Sequence, residues 1–235
     1  MLRALVLLVF YAVMVPVIGL VGIPWTLIVG NVGWMYRRAM WAAFTGVRLT
    51  GVKVEVIGRD RFDPQGTYIY MCNHVSNLDP PIVVPLIPKQ CSVLVKKELF
   101  RIPILSTAMR MADFVAVDRQ NRDAAISSVE RAKVVMEKGI NITIFPEGTR
   151  SLDGKLLPFK KGPFHLALET GMPVLPMTIH GSETLWPKKT FKINQGKVTL
   201  VFHPPIWPKD CASREELMDK VRAVIASSLP EHMRN

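Results

Sequence analysis

From Ala4 to Tyr36 the chain carries no Asp, Glu, Lys or Arg, and Arg3 and the pair Arg37-Arg38 bound the run. At ~1.5 Å per helical residue such a stretch is long enough to cross a hydrocarbon core of ~30 Å. A secretory signal would have a shorter apolar core of ~7–15 residues and a small-residue cleavage site, a pattern that this run with Trp25 and Trp34 does not resemble. Pro16, Gly19, Gly22 and Pro24 interrupt it. Two apolar helices joined by a bend, re-entrant or lying near the interface, therefore fit as readily as one straight span. In either case residues 1–50 are expected to attach the chain to a membrane, with Trp41 to Thr50 as an amphipathic connector, leaving residues 51–235 for one domain with a full core.

The charge balance agrees with such a location. Thirty Lys and Arg stand against 19 Asp and Glu, a net charge of +11 that favours an anionic partner. No nucleic-acid partner is expected, because no zinc-finger spacing or aromatic RNA-binding signature occurs, and the charge is better assigned to lipid and phosphate. Cys72, Cys91 and Cys211 have no paired spacing, so neither a disulfide framework nor a zinc site is indicated, and reduced thiols facing the cytosol are expected.

Beyond residue 50, strand-like and helix-like patterns alternate, which predicts an α/β domain. Val52, Val54 and Val56 alternate with polar neighbours, and residues 67–72, 91–95, 114–117, 140–145, 174–180 and 198–202 are short apolar or β-branched runs. Between them, residues 123–138 place Ile126, Val129 and Met136 on one helical face and stop at Gly139, which suits a left-handed cap. A C-terminal helix is expected to open with Ser213 and Glu216 in capping-box spacing, with Leu217, Val221, Val224 and Ile225 on its buried face. The fold expected is α/β, a mixed, mostly parallel central sheet flanked by helices, with an N-terminal apolar two-helix membrane anchor.

Two clusters carry chemistry. Asn73-His74-Val75-Ser76-Asn77-Leu78-Asp79-Pro80 lies where a strand ends and a helix begins, a place where functional residues collect. In a tight turn Asp79 can accept a hydrogen bond from one ring nitrogen of His74, freeing the other to take a proton. The competing reading makes Asp79 a plain helix N-cap ahead of proline. Ser76 or Cys72 as the nucleophile of a covalent acyl-enzyme ranks below both, since neither sits in a Gly-x-Ser-x-Gly elbow. The second cluster is Phe145-Pro146-Glu147-Gly148-Thr149-Arg150-Ser151. Gly148 permits a sharp turn, and Thr149 and Arg150 offer donors that match phosphate oxygens. Glu147 would repel phosphate, so it is expected to fix Arg150 or a substrate hydroxyl, or to form an ordinary surface salt bridge. His165, His180, His203 and His232 lack carboxylates at motif spacing and read as structural or surface residues.

Together these clusters resemble the glycerophospholipid acyltransferase family, whose hallmark is Asn-His-x-x-x-x-Asp followed by Phe-Pro-Glu-Gly-Thr-Arg-Ser. Two weaker blocks agree, Phe114-Val115-Ala116-Val117-Asp118-Arg119 between them and Met172-Pro173-Val174-Leu175-Pro176 after them, as does Lys96-Lys97-Glu98-Leu99. The resemblance runs from about Gly51 to Pro205 and rests on four blocks in order. Asp113 stands where a glycine is usual and Ala116 where an aromatic is usual, which touches the shape of the acceptor pocket.

That resemblance implies a catalytic pair, His74 and Asp79, that deprotonates an acceptor hydroxyl for direct attack on an acyl thioester. Lys97, Arg119, Glu147, Gly148, Thr149 and Arg150 would bind the acceptor. The donor would be acyl-CoA or acyl carrier protein, and the acceptor the sn-2 hydroxyl of 1-acylglycerol 3-phosphate, giving phosphatidic acid. No metal and no bound cofactor is implied. The expected location is the inner membrane, with the active site facing the cytosol. Glycerol 3-phosphate or another lysophospholipid is the alternative acceptor. A basic membrane-peripheral lipid-binding protein without catalysis is the alternative of another class.

Overall fold

The structure is a computed structural model that describes residues 1–117, 122–187 and 190–234. The seven strand-like runs form seven strands: β1 Val52–Ile57, β2 Ile69–Cys72, β3 Cys91–Lys96, β4 Val115–Val117, β5 Asn141–Ile144, β6 Val174–His180 and β7 Gly196–Phe202. They make one sheet in the order β1-β7-β6-β2-β5-β3-β4. Neighbours run parallel except β6 and β7, which pair antiparallel, Met177 with Phe202 through His180 with Thr199. The expected mixed, mostly parallel sheet is what forms.

Both faces are covered, which is why the central strands read as continuous apolar runs instead of alternating ones. In β2, Tyr70 and Cys72 point into one buried cluster with Leu78, Ile82 and Phe202. Ile69 and Met71 point into the other, with Phe164, Leu166, Val221 and Ile225. The helices supplying the cover are short: α3 Asp79–Val83, α4 Leu105–Met111, α6 Gly162–Thr170, α7 Ser182–Leu185 and α9 Glu231–Arg234, together with α5 Arg122–Glu137 and α8 Arg214–Ser227. Helix α5 ends where expected, ahead of Gly139 at φ 74°. Met136 on its face is buried, whereas the side chain of Ile126 lies outside those described. Helix α8 starts at Ser213, whose hydroxyl accepts from the amide of Glu216 at 3.1 Å. The Glu216 carboxylate reaches back to the amide of Ala212 at 2.6 Å, one residue earlier than a capping box requires.

At the N-terminus the structure departs from the two-apolar-helix expectation. Helix α1, Leu2–Val29, runs unbroken through Pro16 and Pro24 and ends at Gly30, which is left-handed at φ 69°. Gly19 and Gly22 are not hinges. A Cβ on Gly22 would lie 2.6 Å from Met35 of the next helix, and one on Gly19 would lie 2.1 Å from Ile104, so both glycines are sites of close approach. The second helix, α2 Gly33–Leu49, is amphipathic rather than apolar, carrying Arg37, Arg38 and Arg48. It ties the N-terminal pair to the sheet. Tyr36 Oη accepts from the amide of Cys91 at 2.9 Å, and Tyr11 Oη of α1 donates to the carbonyl of Ala43 at 2.7 Å. Among the described residues one helix, α1, is long and apolar enough to cross a membrane.

Candidate active site

Parallel neighbours decide where the chemistry gathers. Strands β2 and β5 pair in register, Ile69 with Ile142 through Met71 with Ile144, so the two clusters, far apart in sequence, leave the same edge of the sheet side by side. Strand β6 flanks β2 on the other side, also parallel, and delivers the turn at Gly181 to that edge.

Asp79 opens α3, but its carboxylate does not cap that helix, since Pro80 and Pro81 have no N–H to offer. It points back into the loop instead. Oδ2 accepts from His74 Nδ1 at 2.8 Å and from the amides of Val75 and Ser76 at 2.7 Å each. Oδ1 accepts from the Ser182 hydroxyl at 2.6 Å. With Nδ1 committed to a carboxylate that only accepts, Nε2 is the ring nitrogen left to take a proton. The His74 ring lies against Phe145, centroids 4.2 Å apart and planes 27° from parallel, which fixes its tilt. Asn73 clamps the loop to β6, exchanging two bonds of 2.8 Å with the backbone of Ile179.

The second cluster folds onto the first. Gly148 takes φ 70° in a turn closed by its own amide to the carbonyl of Phe145 at 3.0 Å. Glu147 is buried, and backbone amides occupy both oxygens of its carboxylate. Oε1 accepts from the amide of His74 at 2.6 Å and Oε2 from the amide of Leu157 at 2.9 Å. The amide of Ser151 donates to the carbonyl of His74 at 2.9 Å, so both backbone groups of the histidine are held by this segment. Arg150 donates to the side chain of Asn77. Burial pushes the Glu147 carboxyl up to about 7; the bonds from the amides of Leu157 and His74 work the other way, and the nearby Asp79 charge adds to the rise.

A cleft of about 710 Å³ opens over these residues. His74, Glu147, Gly148, Thr149 and Arg150 line it, joined by Lys96 and Lys160. Leu94, Val117, Ile144 and Leu166 give it an apolar portion. A cleft lined by both cations and aliphatic side chains suits a ligand that carries both an anion and a hydrocarbon chain. Lys97, named from the sequence, starts the 3-10 helix beyond β3, and it is the preceding Lys96 that lines the cleft. Arg119 lies outside the described residues. Lys160 was not singled out from the sequence. Its one signal is position, two residues before a Gly-Pro helix start, and that becomes informative only once α6 is seen beside β5.

Neither alternative nucleophile reaches the cleft. Cys72 is fully buried, and burial, reinforced by the charges of Asp79 and Glu147, pushes its thiol well above its ordinary range. The Ser76 hydroxyl is also buried and donates to the carbonyl of Trp186 at 2.9 Å.

Comparison with known proteins agrees with this geometry. Residues 53–180 match the acyltransferase family model. A 1-acyl-sn-glycerol-3-phosphate acyltransferase of Cocos nucifera is 37% identical over 166 residues, which cover 69% of this chain and 54% of that protein. The alpha form of Homo sapiens is 32% identical over 178 residues, 74% of this chain and 62% of the human one. The chain thus spans between half and two thirds of the length of these curated relatives. The crystal structure of PlsC, the 1-acyl-sn-glycerophosphate (LPA) acyltransferase of Thermotoga maritima, superposes with a TM-score of 0.81 at 29% identity, covering 95% of this chain and 92% of that one.

Proposed function

Because this chain belongs to the acyltransferase family, we propose that it transfers a fatty acyl group from a thioester to the sn-2 hydroxyl of 1-acylglycerol 3-phosphate, forming phosphatidic acid. The observation that carries the proposal is the buried Asp79 carboxylate on Nδ1 of His74 at 2.8 Å, with the ring on the wall of a cleft that also holds Lys96, Arg150 and Lys160.

In this reading His74 Nε2 takes the proton of the acceptor hydroxyl as its oxygen attacks the thioester carbonyl. The tetrahedral intermediate expels the thiolate, which leaves as thiol with the proton held by the imidazolium. Asp79 keeps the ring in one tautomer and offsets the transient positive charge. Lys96, Arg150 and Lys160 hold the acceptor phosphate, with Thr149 beside it. Glu147 acts on the backbone of His74 and not on the acceptor. Acyl-CoA or acyl carrier protein supplies the thioester.

Helix α1 and the amphipathic α2 hold the cleft at the membrane face where lysolipid and product both reside, the cytosolic face of the inner membrane. The exposed apolar surface of α1 supports the membrane attachment in this reading.

The test incubates purified protein with acyl-CoA, or with acyl carrier protein as rival donor, and identifies the lipid product by mass across an acceptor panel. Phosphatidic acid from 1-acylglycerol 3-phosphate is expected, and His74→Ala should lower the rate by roughly 10²–10⁴-fold while leaving the fold intact. Near wild-type turnover in a folded His74→Ala protein would sink the mechanism. A preference for glycerol 3-phosphate would move the acceptor.

A further inference from the structure

The Asp79 carboxylate is buried and has two oxygens, of which Oδ2 already serves three donors. Oδ1 faces away from His74, and what holds it is the hydroxyl of Ser182 at 2.6 Å. We propose that Ser182 is a positioning residue for acyl transfer, the third member of a Ser182–Asp79–His74 chain, acting on the reaction only through the carboxylate. This inference rests on the acyl-transfer reading of the site.

The fold goes to some length to put that hydroxyl there. Strand β6 leaves the catalytic edge of the sheet parallel to β2, and Gly181 then turns the chain at φ 91°. A Cβ on Gly181 would lie 2.4 Å from the carbonyl oxygen of Lys197, so only glycine allows β6 to end this close to β7. The next residue, Ser182, begins α7 fully buried beneath Asp79. A second bond locks the same turn to the same loop, since Ser76 Oγ donates to the carbonyl of Trp186. Trp186 also packs on the cluster formed by Ala4, Leu7 and Ile193, so the turn carrying Ser182 is braced against α1.

The hydroxyl has a specific effect to exert. A carboxylate free to rotate about its Cβ–Cγ bond could present either oxygen to Nδ1 and would hold the ring less firmly. With Oδ1 pinned by a charge-assisted bond, Oδ2 stays in line with Nδ1 while serving the two amides. Loss of the hydroxyl would also leave Oδ1 buried without a partner, which favours reorganisation of the carboxylate. Turnover should therefore suffer, while affinity for either substrate, which Ser182 does not touch, should not.

Ser182→Ala, Ser182→Cys and Ser182→Thr in the full-length protein separate this role from simple packing. The cysteine keeps the volume with a much weaker donor, and the threonine keeps the hydroxyl. Kcat is expected to fall roughly 10- to 100-fold in the alanine and cysteine variants, the scale of one charge-assisted hydrogen bond, with both Michaelis constants within about twofold. The threonine variant should recover most of the rate. With 15N-histidine protein in detergent, the hydrogen-bonded Nδ1–H proton of His74, assigned by its loss in His74→Ala, should shift or broaden in the alanine and cysteine variants and persist in the threonine one.

A folded cysteine or alanine variant with wild-type turnover and an unmoved Nδ1–H signal would overturn the proposal. So would a cysteine variant that matches wild type where alanine fails, because volume alone would then be what matters. Absence of acyl transfer in the wild-type protein would refute the proposed function instead, and the resonance would still report whether Ser182 governs the His74–Asp79 bond.

Discussion

Helix α1 and the sheet edge that carries the candidate site invert the usual rule in opposite directions. In α1, Leu27 and Ile28 are 72% and 83% exposed. At the sheet edge, Asp79 and Glu147 are 0% and 1% exposed. Exposed aliphatic surface and buried carboxylates are each unfavourable in water, but they are relieved by different things. The carboxylates are compensated inside the molecule, because every oxygen of the two has a donor within hydrogen-bond reach. Leu27 and Ile28 have no such internal cover, and on the proposed reading the bilayer supplies it. A buried polar residue with all its bonds made is a part of the protein's own machinery. An exposed apolar one points outward, to the surroundings in which the protein works.

Removing Asp79 should have the largest effect. Asp79→Ala orphans four donors at once and should cost several kcal/mol of stability, about 3 or more, while dropping acyl transfer by about 10³-fold. Chemical denaturation and turnover measured on the same sample would check both, and a stable, active variant would mean that the buried bonds are not the compensation. Next in size is the other half of the contrast. Changing Leu20, Leu27 and Ile28 together to serine should weaken binding to anionic vesicles by at least roughly 10²-fold, given ~1.5–3 kcal/mol for each fully buried aliphatic side chain. The melting temperature in detergent should hardly move, since none of the three is buried in the fold. A large loss of melting temperature would show that α1 needs those residues for internal packing.

Two titrations sharpen the point. The Glu147 carboxyl is raised to about 7 by burial. Between its ordinary value of about 4.5 and 7, the folded state therefore binds more protons than the unfolded state, so this group's contribution to stability is lost as pH rises through that window. Glu147→Gln has nothing to titrate there, and relative to wild type it should gain stability from pH 4.5 to pH 7, by about 2 kcal/mol. His203 moves the other way. Burial, helped by the Arg61 charge, lowers it to about 4. The unfolded state binds more protons between 4 and about 6.5, and stability from this group is lost as pH falls through that range. His203→Gln should flatten the acid side of the stability curve by a smaller amount, read from denaturation midpoints at pH 4.5 and pH 7.

Much of the fold was legible because its signals are local. Each of the seven strands carries its own apolar or β-branched run, and Ser213 and Gly139 mark helix ends by their own chemistry. His74 and Asp79 could be paired because five residues of loop is a distance a single turn can close. The glycines of α1 misled for the same reason. Gly19 and Gly22 read locally as breakers, while their actual role is set by Ile104 and Met35 on other elements. Glu147 carries no sign in its own motif that its partners are the amides of His74 and Leu157.

The α/β class, the apolar N-terminal run, and the His74–Asp79 and Phe145–Ser151 clusters are all written in contiguous residues and can be read from them. That β6, β2 and β5 lie side by side is a property of the packed chain. That adjacency brings Ser182, Asp79 and Glu147 to one edge, and β3, parallel to β5 on its other side, carries Lys96 to the same cleft. The physical reason is that strand order is chosen by burial of both sheet faces at once, a property of the whole chain that no window of it contains.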